Sequence, residues 1–199
     1  MYSQNKEDDV VLSYFGDFRG RFLDIGANDG RTASNTYRFA ELGWSGLCVE
    51  PGWRVIGQLI ETYQNHPGVE ILNAAIDEQD GISPFWDCQF TALSTMDKDL
   101  QDRYPKRKGA KKIHVATCTM GHLLKTFPGL FHYISIDAEG LSIRILRAMP
   151  LLEMGTKAIC IECFPPHVRK GEDKAILDYC TPFGFKVLAK TKENLILAL

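Results

Sequence analysis

Phe22-Leu23-Asp24-Ile25-Gly26-Ala27-Asn28-Asp29-Gly30, FLDIGANDG, is the stretch whose reading decides the fold. An apolar run carrying an acid ends at Gly26, and a second glycine follows four residues later. Glycine after a buried strand lets the chain turn sharply and brings the backbone close to a ligand. The N–H groups at the start of a following helix then attract an anion. A dinucleotide fingerprint, G-x-G-x-x-G, demands two more glycines, at positions that here hold Asn28 and Arg31. No Gly-Lys-Ser/Thr follows either, so the loop is not a triphosphate cradle.

Working outward, the chain alternates short apolar runs with helical stretches. Residues 4–15 read as an amphipathic helix, with Val10, Val11, Tyr14 and Phe15 on one side. RFLDIG is a buried strand, RTASNTYRFAELG a helix stopped by Gly43, and SGLCVE a second strand ending in Glu50. WRVIGQLIETYQNHPG is a helix closed by Pro67-Gly68, and VEILNAAI a third strand. That β-α-β-α-β rhythm implies parallel strands joined by right-handed crossovers. Residues 82–118 are less regular and read as an insertion before the fourth main strand, ending in the strand IHVATC. TMGHLLKTF after it is a helix capped by Thr119. The alternation resumes with FHYISID, SIRILRAM, KAICIEC and GEDKAILDYCTPFG, and FKVLAKTKENLILAL closes the chain as two strands around a polar turn. The expectation is one α/β domain over residues 1–199. Its sheet is doubly wound, Rossmann-like and seven-stranded, mostly parallel with a reversed last strand.

An acid two residues before the first glycine repels a pyrophosphate but suits a ligand with an ammonium group. S-adenosylmethionine has one, together with a carboxylate for the loop N–H groups. Glu50, at the end of the second strand, is spaced to accept both hydroxyls of a ribose. The plainer alternative is that Asp24 only ties down the loop and that Glu50 is a solvated strand end.

The sequence resembles the FkbM-type methyltransferases, a family of the class I S-adenosylmethionine-dependent enzymes. SQNKEDDVVLSYF, GRFLDIGANDG, GLCVEP, ILNAAIDEQDG, HVATCTMGHLL and YISIDAEGLSIRIL carry the likeness. It implies that Asp24, Gly26, Ala27, Asn28 and Gly30 line the methionine end of S-adenosylmethionine. Glu50, followed by Pro51, would hold the ribose, and the segment from Asn73 through Ala75 to Ile76 would border the adenine. It also implies that the first helix, with Gln4, Glu7 and Asp8 sharing a face, lies over the pocket as a lid.

For the acceptor side, Asp137 ends one predicted strand, Glu139 follows in the turn, and Glu162 ends the next strand. Neighbouring strands would bring the three carboxylates together. Such a group holds a proton through mutual repulsion and can serve as a base. Asp137 and Glu139 are the expected catalytic pair, with Asp137 also touching the cofactor. A hard divalent cation is the other use of such a set, though no residue is assigned as a metal ligand. Helix capping by Asp137 or Glu139, and pairing of Glu162 with a surface lysine, are the structural alternatives.

The remaining signals are weaker. His66, His114, His122 and His132 read as structural, while His167 sits in a loop where substrates bind in open α/β sheets. KRKGAKK is a basic run in the insertion, either solvated or in contact with an anionic acceptor. Phe85, Trp86 and Phe90 are core residues or a sugar-stacking set. Cys160-x-x-Cys163 cannot easily bind one ion, since residues three apart on a strand face opposite ways. The six cysteines read as free thiols of a cytoplasmic protein. Net charge is -2, which argues against a nucleic-acid footprint, and no apolar run approaches the ~20 residues of a membrane span. The expected function is methyl transfer to an oxygen of a small-molecule or carbohydrate-type acceptor. A nucleic acid methyltransferase, or a module of the same fold that binds the cofactor without turnover, are the alternatives.

Overall fold

The computed structural model describes residues 2–103, 109–163 and 171–199. In chain order its elements are α1 (Glu7–Phe15), β1 (Arg21–Ile25), α2 (Tyr37–Glu41), β2 (Ser45–Val49), α3 (Ile56–Tyr63), β3 (Val69–Leu72), β4 (Ala75–Ile76), β5 (Gly81–Asp87) and α4 (Lys98–Arg103). There follow β6 (Lys111–Cys118), α5 (Met120–Thr126), β7 (Tyr133–Ile136), α6 (Ser142–Arg147), β8 (Ala158–Glu162), α7 (Glu172–Cys180), β9 (Lys186–Lys190) and β10 (Asn194–Ala198).

The main sheet has seven strands in the order β3-β2-β1-β7-β8-β10-β9. β1, β2, β3, β7 and β8 pair in parallel, and β10 runs antiparallel to both β8 and β9. The expected mostly parallel sheet with a reversed last strand is therefore present, the reversed strand lying between β8 and β9. The chain winds outward from β1 to β3, then returns to lay β7 against the other side of β1. That reversal opens a crevice beyond the carboxyl ends of β1 and β7, where open α/β sheets hold ligands.

Both faces of the sheet are covered, which is why its central strands are apolar almost without interruption. Leu23, Ile25, Ile134, Ile136, Ile159 and Ile161 pack on one side with Met120, Leu123, Ile145 and Ile176. Phe22, Cys48, Tyr133 and Cys160 pack on the other with Val11, Phe39, Leu59 and Tyr63. Cys160 and Cys163 fall in these two opposite clusters, and all six cysteines are free thiols. Among the described residues no helix is long and apolar enough to cross a membrane.

Four local expectations change. The first helix begins at Glu7, not Gln4: Lys6 takes a left-handed conformation, and Ser3 forms a bridge with Ala33. The helix after the glycine loop is only Tyr37–Glu41. Residues 31–36 stay irregular because Ser34 Oγ accepts the Thr36 and Tyr37 N–H groups while Thr36 Oγ1 is drawn to Asp24. α3 starts at Ile56, after a turn that leaves Trp53 and Arg54 to bond Asp87. VEILNAAI divides at Asn73, whose side chain donates to the Glu50 carbonyl at 2.7 Å. Ala75 and Ile76 leave the main sheet and pair with Thr117 and Cys118.

They belong to a second, three-stranded sheet, β4-β6-β5. β5 and β6 pair antiparallel from Gly81↔Thr117 to Asp87↔Lys111. Trp86 and Thr95 exchange backbone hydrogen bonds, folding residues 88–95 back against the sheet. Thr119 caps α5 as expected, accepting the His122 N–H at 3.1 Å.

Candidate active site

The floor of the crevice is built from backbone. Gly26 and Ala27 donate N–H groups to the Val49 carbonyl, and Asp137 donates to the Ile25 carbonyl at 2.9 Å. Gly26 has φ +84°, and a Cβ there would lie 1.8 Å from the Asp137 carbonyl oxygen. Above this floor is a cavity with about 540 Å³ of free space, its mouth included. Gly26, Glu50, Pro51, Ala75, Ile76 and Asp137, all expected from the sequence, are among its walls. Phe85, Ser94, Thr95 and Met96 close it from the insertion, and Leu141 and Ile145 from the start of α6. This largely apolar box, with the carboxylates of Glu50 and Asp137 in its walls, was not foreseen from residues 85–96, because the segment has no periodicity and is folded over the site by the Trp86–Thr95 bridge and the long-range Thr91–Asn28 and Thr95–Glu139 bonds.

Glu50 is 7% exposed. Its Oε2 accepts the Asn28 N–H at 2.9 Å and its Oε1 the Gly52 N–H at 2.6 Å. Burial pushes its carboxyl above the ordinary range, and those two N–H groups pull it back. Each oxygen has capacity for a further hydrogen bond, so Glu50, which ties the glycine loop to the turn after β2 and lines the cavity, can also accept vicinal hydroxyls.

Four other loop residues stand outside the walls of that cavity. Asp24 is buried on the opposite face, where its Oδ2 accepts the Thr36 hydroxyl at 2.6 Å, and burial raises its pKa to about 6. Gly30 lies under α3, where a Cβ would meet Leu59 and Tyr63 within 2.7 Å. The N–H groups of Gly26, Ala27, Asn28 and Gly30 are all engaged inside the protein. They are therefore not a ready anion nest, and no helix starts there to add to one. Asn28 faces the insertion, its Oδ1 accepting the Thr91 hydroxyl at 3.0 Å. Asn73 acts through its bond to the Glu50 carbonyl.

Asp137 also lines a second cavity with about 680 Å³ of free space, its mouth included, beside Gln4, Asn35, Phe90, Glu139, Glu162 and Asn194. It is thus the residue common to both chambers. The carboxylate oxygens of Asp137, Glu139 and Glu162 lie within 4.8 Å of one another. Oxygens so close can share a proton or gather around a hard cation. Asp137 is an exposed residue at the cleft, with protein packed around the rest of its carboxyl. Desolvation by that surrounding protein, then Glu162 and Glu139, holds the carboxyl above the usual range. Neither Asp137 nor Glu139 caps α6, whose first turn has no side-chain cap. Glu139 instead takes a left-handed conformation, φ 43°, and its carbonyl accepts the Thr95 hydroxyl at 2.8 Å.

Of the N-terminal trio, Gln4 alone reaches the second cavity. Glu7 and Asp8 are fully buried rather than spread over a pocket. Asp8 accepts the Ser3 hydroxyl at 2.5 Å, and Glu7 holds the β9–β10 turn through Thr191 and Asn194. Asn35 and Asn194 were missed from the sequence, since neither sits in a motif.

His122 pairs with Asp80, His132 Nδ1 accepts the Arg21 N–H, and His66 packs on Tyr37 and Tyr63. His114 is exposed on β6. His167, with Pro165-Pro166, and Lys106, Arg107 and Lys108 of the basic run lie outside the described residues. Phe85 is core, while Phe90 is 69% exposed at the second cavity.

The topology is that of the class I S-adenosylmethionine-dependent methyltransferases. Similar solved structures include monomeric WbdD, at 10% identity and TM-score 0.55 over 98% of this chain, which spans 41% of that one. The magnesium protoporphyrin IX methyltransferase ChlM from Synechocystis PCC 6803, solved with bound SAM, matches at 12% identity and TM-score 0.50, over 96% of this chain and 76% of that one. The ribosomal protein L11 methylase from Lactobacillus delbrueckii subsp. bulgaricus matches at 11% and 0.52, over 97% and 75%. At these identities the likeness is one of fold. Comparison with curated proteins finds no match. The methyltransferase FkbM domain model matches residues 24–187, and the chain belongs to that family.

Proposed function

We propose that this protein transfers a methyl group from S-adenosylmethionine to an oxygen of a small-molecule or carbohydrate-type acceptor. The observation that carries the reading is the double exposure of Asp137, which faces both the Glu50 cavity and the Gln4–Asn35–Asn194 cavity. One chamber fits a nucleoside: paired carboxylate lone pairs at Glu50, apolar walls at Pro51, Ala75, Ile76, Leu141 and Ile145, and a roof from the insertion. The other chamber is lined mainly by amide and carboxylate side chains, which suit a polar acceptor.

When bound, S-adenosylmethionine would supply a sulfonium methyl for in-line attack by an acceptor oxygen, the new O–C bond replacing the S–C bond as S-adenosylhomocysteine leaves. Glu50 fixes the ribose by accepting its hydroxyls. Gly26 lets β1 and β7 approach, so that Asp137 stands at the junction of the chambers. Asp137, ionised, accepts the proton of the attacking hydroxyl. Its raised pKa makes it a stronger base than a solvated aspartate. Glu139 keeps that pKa high and, through its carbonyl, anchors Thr95 of the roof. The carboxylates also favour a cationic group in the cleft over a neutral one.

A thermal melt with S-adenosylhomocysteine, and NAD as control, tests the cofactor. Saturation to 100-fold over Kd adds ~2.7 kcal/mol, a shift of roughly 5–10 °C for a chain of this size. A shift with NAD, or with neither, counts against the reading.

A further inference from the structure

The second cavity has a wall of side-chain amides. Gln4, Asn35 and Asn194 line it, and they come from three distant parts of the chain. Asn194 is held by an acid outside the cavity. Glu7, fully buried at the start of α1, accepts Asn194 Nδ2 at 3.1 Å, Thr191 Oγ1 at 2.7 Å and the Asn5 backbone N–H at 2.7 Å. Burial alone would push the Glu7 carboxyl up, but the bonds from Thr191, Asn5 and Asn194 outweigh it and hold it below the ordinary range. An ionised carboxylate only accepts hydrogen bonds. Glu7 therefore fixes which way the Asn194 amide faces: its NH₂ is turned to Glu7, and Oδ1 is the polar atom left for a ligand. Asn35 is braced too, with Nδ2 toward Ser135 Oγ and the next residue, Thr36, bonded to Asp24.

Amides offer a carbonyl acceptor and N–H donors together, which matches hydroxyl groups that both donate and accept. They supply no charge to neutralise a phosphate or carboxylate, and the acids that line the same cavity, Asp137, Glu139, Glu162 and Glu193, disfavour one. Phe90 adds an exposed aromatic face at the rim, of the kind that covers the apolar side of a sugar ring.

We infer that this wall is a subsite for a hydroxyl-rich acceptor without negative charge, and that Glu7 is a positioning residue acting on it through Asn194. The inference rests on reading Asp137 as the point of methyl transfer. It goes further in excluding anionic acceptors and in giving the SQNKED segment a task in acceptor selection rather than as a lid over the cofactor.

The test uses the full chain and two measurements. Calorimetry gives the S-adenosylhomocysteine Kd of the wild type, Glu7→Gln, Asn194→Ala, the double variant and Gln4→Ala. Transfer of label from S-adenosylmethionine is then measured to neutral hexoses and deoxyhexoses as methyl glycosides, and to hexuronic acids and hexose phosphates. The expected result is transfer to neutral members. Asn194→Ala and Glu7→Gln should each raise the acceptor KM about 5- to 10-fold, the loss of one hydrogen bond. kcat and the S-adenosylhomocysteine Kd should change little. The double variant should be no worse than Asn194→Ala, since the two residues act as one unit. Transfer confined to the anionic members, or to none of the panel, overturns the acceptor class. Additive effects, or an S-adenosylhomocysteine Kd that weakens in step with KM, overturn the role of Glu7. Gln4 is exposed, so its truncation keeps the subsite testable if Glu7→Gln does not fold. A wild type that fails to bind S-adenosylhomocysteine sinks the methyl-transfer reading itself, a result distinct from all of these.

Discussion

Gly26 and Asp137 touch through their backbones. β1 and β7 lie side by side, the Asp137 N–H bonds the Ile25 carbonyl, and a Cβ on Gly26 would sit 1.8 Å from the Asp137 carbonyl oxygen. The first glycine of the loop therefore serves the strand pair that carries the proposed base. Its φ of +84° is itself a conformation that favours glycine.

Gly26→Ala should consequently disturb both chambers. The obstacle is backbone, which cannot swing aside as a side chain can, so the end of β1 must separate from β7. We expect a loss of stability of about 3 kcal/mol or more, at the severe end for a point change. S-adenosylhomocysteine binding should be lost even at temperatures where the variant is folded. Urea unfolding and calorimetry measure the two effects. A variant of wild-type stability would contradict the close approach.

Asp137→Asn should trade activity for stability. The folded protein holds the Asp137 proton more tightly than the unfolded chain does, because burial, Glu162 and Glu139 all disfavour its charge. Its contribution is thus present below the unfolded pKa and is lost as pH rises through the folded one. Removing the ionisable group should raise Tm at pH 8 relative to wild type and leave pH 4 nearly unchanged. Turnover should fall by about 10²-fold or more, the usual contribution of a general base. In the wild type, kcat should climb with pH on the alkaline side as Asp137 ionises. A flat profile together with an active Asp137→Asn would make Asp137 structural.

What the sequence disclosed follows from where the information is local. Strand and helix alternation and the positions of Glu50 and Asp137 at strand ends are written in short apolar runs and their punctuation, whereas the order of the strands is not local and was expected only through the family resemblance. The Asp137, Glu139 and Glu162 cluster was legible because adjacent parallel strands bring their ends together. Asn35, Thr95 and Asn194 were not, because each is set in the site by partners distant in sequence: Asp24 through Thr36, Glu139, and Glu7. Asp24 shows the limit of motif reading. Its place in the loop suggested a ligand contact, but residue parity along β1 turns it to the face opposite Leu23 and Ile25, where it meets Thr36.

Asp24 should leave its mark on stability against pH. Its folded pKa is about 6, against an ordinary 3.8, with burial the main cause. A raised carboxyl pKa means that stability declines as pH rises from about 4 to about 6 and is then constant from this group. Two pKa units correspond to roughly 3 kcal/mol. Asp24→Asn keeps an acceptor for Thr36 Oγ1 and removes the charge. Its unfolding free energy should match the wild type near pH 4 and exceed it at pH 7, with S-adenosylhomocysteine affinity little changed. Weaker binding at unchanged stability would instead assign the Asp24 charge to the cofactor.

Glu50 combines a structural and a binding task, and two substitutions separate them. Its two oxygens hold the N–H groups of Asn28 and Gly52. Glu50→Ala strands both, each worth about 1–3 kcal/mol if left unsatisfied. It should therefore weaken the fold and the cofactor site together. Glu50→Gln keeps one acceptor oxygen and replaces the other with a donor facing an N–H. That should release either Asn28 or Gly52 and leave a single acceptor for the ribose. We expect Glu50→Gln to lose less stability than Glu50→Ala, yet to weaken S-adenosylhomocysteine by about tenfold or more, as hydrogen bonds to a charged group are worth ~1.5–3 kcal/mol. Calorimetry beside urea unfolding checks the pair. Affinity that tracks stability in both variants would reduce Glu50 to a loop tether, whereas affinity lost in the more stable Gln variant supports its contact with the ribose.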